Sequence, residues 1–141
     1  MPSSINVAAP ITLQQVFNSV EEKYNVPKNL MYSIAKVESN FKHKAFIKHD
    51  GVSKHSSYGL LQLQYRAAKD VGFKGNPIEL MDPSINIEWG TKYFNWLLKR
   101  NRGDVSLALT AWNKGPYNKE VKNKIYSAYV GKVLNVWAMS I

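Results

Sequence analysis

A chain of 141 residues, 45% of them hydrophobic, is long enough for one compact domain with its own core and needs no covalent staples. It contains no cysteine, which excludes disulfides and thiolate metal sites and leaves packing to supply stability. Its 19 Lys and Arg against 10 Asp and Glu give a net charge of +9, which favours polyanionic partners, although the cations are dispersed and form no nucleic-acid-binding arm.

No apolar run approaches the roughly 20 residues of a membrane span. Met1 to Thr12 has neither a basic n-region nor a continuous apolar h-region, so no export signal is visible. Repeats, low-complexity segments and long linkers are absent, and residues 1–141 read as a single domain.

In chain order, Thr12 and Gln15 form a capping-box pattern ahead of Leu13, Val16, Phe17, Val20 and Tyr24 at helical spacing, which predicts a first amphipathic helix. Pro27 suits a first helical position, and Leu30, Ile34, Val37 and Phe41 predict a second helix ending near Asn40. Lys42 to Ser57 loses periodicity and reads as a long solvated loop; Ala45 to Val52 has room for a short hairpin. After the apolar passage Tyr58 to Leu63, Gln64 to Val71 reads as a helix with Gly72 as its left-handed terminator, and Gly75-Asn76-Pro77 as a turn. Asp82 and Pro83 cap a helix that is apolar nearly all round, with Ile85, Trp89, Tyr93 and Trp96 flanked by Ile87, Phe94, Leu97 and Leu98, the pattern of a buried central helix. Gly103 stops it. Asp104 caps a helix with the stripe Val105, Ala108, Leu109 and Trp112, which ends at Asn113-Lys114-Gly115-Pro116. A last helix of about twenty residues is expected from Lys119, carrying Val121, Ile125, Tyr129, Val133 and Val136. The predicted class is all-α, or nearly so.

Glu38 lies at i+4 from Ile34 and i+7 from Met31, on the edge of an apolar stripe. Partial desolvation there disfavours the charged form and raises the pKa, as a general acid at neutral pH requires. By spacing alone, a solvent-facing helix glutamate is the commoner reading. Four separated segments add to this: Glu38-Ser39-Asn40-Phe41, Gly59-Leu60-Leu61-Gln62, Ala111-Trp112-Asn113-Lys114-Gly115-Pro116 and Tyr129-Val130-Gly131-Lys132-Val133-Leu134. Their order and spacing, with Leu80-Met81-Asp82-Pro83 to Asn86-Ile87 between the second and third, resemble the soluble lytic transglycosylase and goose-type lysozyme superfamily over about residues 12–137. Three features depart from the family pattern: Trp112 replaces the usual tyrosine, Leu61 the usual methionine, and the loop between Glu38 and Gly59 is longer and more basic.

The resemblance implies a lysozyme-like helical fold with a cleft for alternating N-acetylmuramic acid and N-acetylglucosamine, and Glu38 as the catalytic residue. It also implies that Gln62, Trp112 and Asn113 line the subsites and that Tyr129 holds the glutamate or the substrate. Counting back from Gln62, the family's substrate-contacting serine corresponds to Ser53, with Ser57 as competitor. Taken singly, Tyr129 reads as a core residue, Asn113 as a turn former and Gln62 as surface.

Neither cofactor nor metal is expected: His43, His49 and His55 recur every six residues around Asp50, a spacing that gathers them on no helix face and no strand face. The implied activity is a lytic transglycosylase that leaves 1,6-anhydromuramic ends with one glutamate as acid and then base. The alternatives are a hydrolytic muramidase in which Asp50 positions water, and a non-catalytic cell-wall glycan-binding domain. The expected partners are peptidoglycan glycan strands and, by charge, the anionic envelope; no nucleic acid is expected, and the protein is expected to be a monomer. It would act in the periplasm or cell wall, delivered by a phage as an endolysin-like, bacteriolytic enzyme; a bacterial enzyme whose signal was removed fits the same residues.

Overall fold

The computed structural model describes residues 10–48 and 56–140. Its helices are α1 (Leu13–Lys23), α2 (Leu30–Ser39), α3 (Tyr65–Asp70), α4 (Pro83–Arg100), α5 (Val105–Lys114), α6 (Lys119–Lys122) and α7 (Ala128–Ala138), with a 3₁₀ turn at Pro77–Met81. A small antiparallel sheet of order β1-β2-β3 joins Phe46–Ile47, Ser57–Tyr58 and Leu63–Gln64. The nearly all-helical class expected from periodicity is the one observed.

Locally encoded starts fall where expected. Thr12 and Gln15 form the reciprocal capping box of α1. Asp82 accepts from the Ser84 and Ile85 amides with Pro83 in the first turn of α4, and Asp104 accepts from the Leu107 amide at the start of α5. Gly72, at φ +106°, closes the turn after α3. Along α4 the residues Ile87, Phe94 and Leu97 are fully enclosed. They join Phe17, Leu30, Met31, Ile34, Leu61, Leu80 and Leu109 in one hydrophobic cluster. A helix buried on several faces is thus the axis of the fold, with α5, α1 and α3 against it and α7 against α2.

Three boundaries differ from expectation. Pro27 lies in a turn, Asn29 is left-handed at φ 68°, and α2 starts only at Leu30. The Asn29 side chain provides no cap because it is engaged elsewhere: Oδ1 accepts from Gln14 and Asn18, and Nδ2 donates to the Ser140 carbonyl. Glu21 of α1 caps α2 instead. Its Oε1 accepts the Asn29 amide at 2.9 Å and its Oε2 the Met31 and Tyr32 amides at 2.7 and 3.2 Å, which satisfies donors orphaned at a helix start. Burial pushes the Glu21 carboxyl above its ordinary range, and these hydrogen bonds oppose the shift.

The expected twenty-residue terminal helix is two helices, α6 and α7. Lys124 is left-handed at φ 57°. The amides of Lys124 and Ile125 bond back to the carbonyls of Val121 and Glu120 at 3.1 and 2.7 Å, a Schellman ending without glycine. Ile125 is consequently exposed rather than part of a buried stripe. The hairpin also differs: β1 pairs with β2, Phe46 opposite Tyr58 and Ile47 opposite Ser57, so its return strand lies beyond Val52.

The turn from β2 to β3 is Gly59-Leu60-Leu61-Gln62. Asn86 of α4 holds it by accepting the Leu61 amide at 2.8 Å and donating to the Tyr58 and Leu80 carbonyls at 2.7 Å each. Gly59, at φ +70°, lies so close that a Cβ there would come within 2.7 Å of the Asn86 amide nitrogen and 2.9 Å of the Leu80 carbonyl. Only glycine meets both the sign of φ and the contact.

Candidate active site

Glu38 is in the last turn of α2, which ends abruptly because Asn40 and Phe41 are both left-handed, at φ 53° and 64°. The neighbouring Ser39 is buried and donates from Oγ to the Leu60 carbonyl at 2.7 Å. This bond ties the end of α2 to the Gly59–Gln62 turn. Two side chains distant in sequence converge on the glutamate: the Tyr129 hydroxyl of α7 donates to Oε2 at 2.6 Å and the Trp112 indole of α5 donates to the same oxygen at 3.2 Å.

Burial raises the Glu38 pKa above its ordinary value, and the Tyr129 and Trp112 hydrogen bonds partly oppose the rise. Both donors use Oε2, so the acid form carries its proton on Oε1. The tyrosine is itself held neutral, since burial and the adjacent carboxylate both push its pKa up. A carboxyl that is partly desolvated, protonated more readily than usual and fixed through one oxygen is suited to give a proton and take one back.

Glu38 opens into a cavity of about 490 Å³. Ser57, Gln62, Trp112 and Asn113 line it with Glu38, and Tyr129 reaches it through its bond to the carboxylate. The structure therefore brings together Glu38, Ser57, Gln62, Trp112, Asn113 and Tyr129 of the residues singled out from the sequence. Ser53, Asp50, His49 and His55 lie outside the described residues; His43 is exposed. Gln62 is left-handed at φ 50°, and its amide nitrogen donates to the Ala45 and Gly59 carbonyls at 3.0 and 2.9 Å. Its Oε1 is buried with no protein partner.

Arg66, Asp70, Tyr93 and Tyr117 also line the cavity, and sequence reasoning did not assign them to it. Tyr93 falls within the apolar pattern of α4 and was read as core. It is indeed buried, and desolvation, with the Asp70 charge adding, pushes its hydroxyl up to about 12. Tyr117 had a usable signal, an aromatic residue directly after the helix-breaking Gly115-Pro116. Arg66 and Asp70, at i and i+4 on the short helix α3, had none beyond charge.

Comparison with known proteins matches the Transglycosylase SLT domain family over residues 15–134. The chain is 28% identical over 162 aligned positions to a membrane-bound lytic murein transglycosylase C of Edwardsiella ictaluri, covering 95% of this chain and 43% of that protein. It is 36% identical over 90 positions to a membrane-bound lytic murein transglycosylase E of Buchnera aphidicola, covering 59% of this chain and 40% of that one. The chain thus spans about two-fifths of the length of these relatives. In fold it is similar to the lytic transglycosylase Slt of Pseudomonas aeruginosa, with a TM-score of 0.68 at 17% identity over 92% of this chain and 24% of that one. It is likewise similar to the 70 kDa soluble lytic transglycosylase of Escherichia coli, with a TM-score of 0.65 at 21% identity over 90% of this chain and 19% of that one. With the family matched across most of its length and the same fold around Glu38, this chain belongs to the Transglycosylase SLT domain family.

Proposed function

We propose that the protein is a peptidoglycan lytic transglycosylase in which Glu38 acts alone as acid and then base. The observation that carries this reading is the half-buried Glu38 carboxyl with both protein donors on Oε2 and none on Oε1. Protonated Oε1 gives its proton to the oxygen bridging muramic acid C1 and the next sugar, and that C–O bond breaks with its electron pair leaving on the departing hydroxyl. The substrate's own N-acetyl carbonyl stabilises the positive C1. Ionised Glu38 then takes the proton of the same sugar's C6 hydroxyl as its oxygen bonds to C1. The product is a 1,6-anhydro ring, water is not consumed, and Glu38 returns to its starting state. Gln62, Trp112 and Asn113, with Ser57 or Ser53, are assigned to the subsites, and Tyr129 to holding the carboxyl.

The relatives carry the name lytic murein transglycosylase, which supports the substrate class. We place the work of the protein in the cell wall; the phage-delivered origin expected from composition draws no support from relatives that are named as bacterial proteins. The decisive measurement is mass spectrometry of digested peptidoglycan by wild type and by Glu38→Gln, Asp50→Asn and Asp70→Asn. Asp70 is included because it is a second carboxylate on the cavity wall. Anhydro products from wild type and both aspartate variants, with loss of at least about 10²-fold in Glu38→Gln, are expected. Reducing-end products, or an equal loss in either aspartate variant, would establish a hydrolase that activates water.

A further inference from the structure

The ring of Tyr117 is 74% exposed, although it belongs to the wall of the cavity. A large exposed aromatic on a loop ordinarily gains little from a fixed position. This one is held. The Arg100 guanidinium lies 4.5 Å from the Tyr117 ring centroid and 5.7 Å from that of Trp96, and no carboxylate among the described residues forms an ion pair with it. Trp96 stacks on Tyr93 at 5.8 Å with an interplanar angle of 21°, and Tyr93 lies 5.8 Å from Trp112, whose indole bonds Glu38. A continuous series of aromatic and guanidinium contacts therefore runs from the carboxyl through Trp112, Tyr93, Trp96 and Arg100 to Tyr117.

Most of the series is closed by packing: Tyr93 is buried and Trp96 and Trp112 are partly so. Tyr117 alone leaves a broad face to solvent, and it does so on the cavity wall. Such a face, apolar over the ring with a hydroxyl at its rim, matches the C–H face and hydroxyl edge of a pyranose. Fixing it in advance by a cation–π contact lowers the ordering cost on binding. Glycine and proline immediately before it, with Gly115 at φ +103°, turn the chain out of α5 so that the aromatic stands on the rim.

We propose that Tyr117, held by Arg100, forms a distal sugar-binding subsite for a neutral N-acetylhexosamine ring of the same glycan strand, outside the sugars that react at Glu38. This rests on the glycan-cleaving reading above. Its consequence is a preference for longer strands, because a short oligosaccharide that fills the reacting subsites leaves Tyr117 uncovered. Arg100 is a positioning residue that acts through the tyrosine.

The test measures binding, in a Glu38→Gln background where no turnover occurs, of peptide-free glycan tetrasaccharides and octasaccharides by isothermal titration. The octasaccharide is expected to bind about tenfold more tightly than the tetrasaccharide, the gain of roughly one well-formed stacking contact. That ratio should fall to about one in Tyr117→Ala, persist in Tyr117→Phe and shrink in Arg100→Ala. A merely structural role would shift the affinities for both lengths together and leave the ratio in place. An absent length gain, or a gain that survives Tyr117→Ala in a variant whose circular dichroism matches wild type, overturns the subsite. Hydrolysed rather than anhydro products, combined with a Tyr117-dependent length gain, would overturn the transglycosylase reading and uphold the subsite.

Discussion

Burial and two hydrogen bonds pull on Glu38 in opposite directions, and burial wins, leaving the carboxyl above its ordinary pKa. The Tyr129 hydroxyl donates to the carboxylate and so favours the charged form. Removing that donor in Tyr129→Phe should raise the pKa further and shift the alkaline limb of the kcat/KM profile to higher pH, since activity needs the protonated acid. An unmoved limb would show that the tyrosine serves packing alone. The same shift has a sign for stability. A carboxyl whose folded pKa exceeds its unfolded one carries no penalty below the unfolded pKa, and loses stability as pH rises through the folded value. Glu38→Gln, which removes a partly desolvated charge but keeps the acceptor for Tyr129 and Trp112, is therefore expected to match or exceed the urea midpoint of wild type at neutral pH while losing lysis. A clear drop in that midpoint would mean that the ionised carboxylate is a net stabilising element of the fold.

At the scale of elements, the site depends on a four-residue turn that has almost no regular structure of its own. Gly59–Gln62 is held between β2 and β3 by one asparagine, and the three backbone groups that Asn86 satisfies are all in a buried setting. Asn86→Ala leaves them without partners, at about 1–3 kcal/mol for each buried group left unpaired. A total loss of about 3 kcal/mol or more is expected, a large share of the 5–15 kcal/mol that usually holds a domain together. Urea denaturation should show a lower midpoint at unchanged slope, the signature of lost stability rather than a changed unfolded state. A change below about 1 kcal/mol would mean that the freed groups find water. The end of α2 responds to the same clamp, because Ser39 bonds Leu60 within this turn.

Across the whole molecule, the charge of +9 acts at longer range than any contact in the cleft. Several cations are spent on aromatic faces, among them Lys23, Lys36, Lys69, Lys92 and Arg100, yet they remain near the surface and contribute to its field. Steering toward an anionic envelope is screened once the Debye length falls to about 8 Å near 0.15 M salt, whereas hydrogen bonds and stacking inside a cleft hardly change. Activity on intact sacculi should therefore fall with added salt more steeply than activity on short, uncharged glycan fragments. Equal salt sensitivity on the two substrates would leave the charge without a targeting role.

What the sequence determined by itself is whatever depends on neighbours three or four residues away: the capping box at Thr12 and Gln15, the Asp82-Pro83 start, the Asp104 cap and the apolar periodicity of α4. It also singled out Glu38, through motifs rather than through geometry, whereas the bond from the Trp112 indole to that carboxyl is visible only in the structure. Tertiary structure decided the rest. The start of α2 is set by Glu21, eight to eleven residues upstream of the amides it caps, so no local pattern around Pro27 announces it. The break between α6 and α7 falls at a lysine in a left-handed turn, a conformation for which only glycine or asparagine gives a reliable signal. The hydrogen bonds that hold the Glu38 carboxyl come from side chains 74 and 91 residues away. Periodicity records which face of a helix is apolar but not which other helix covers it, and the pKa of a carboxyl is set by that covering.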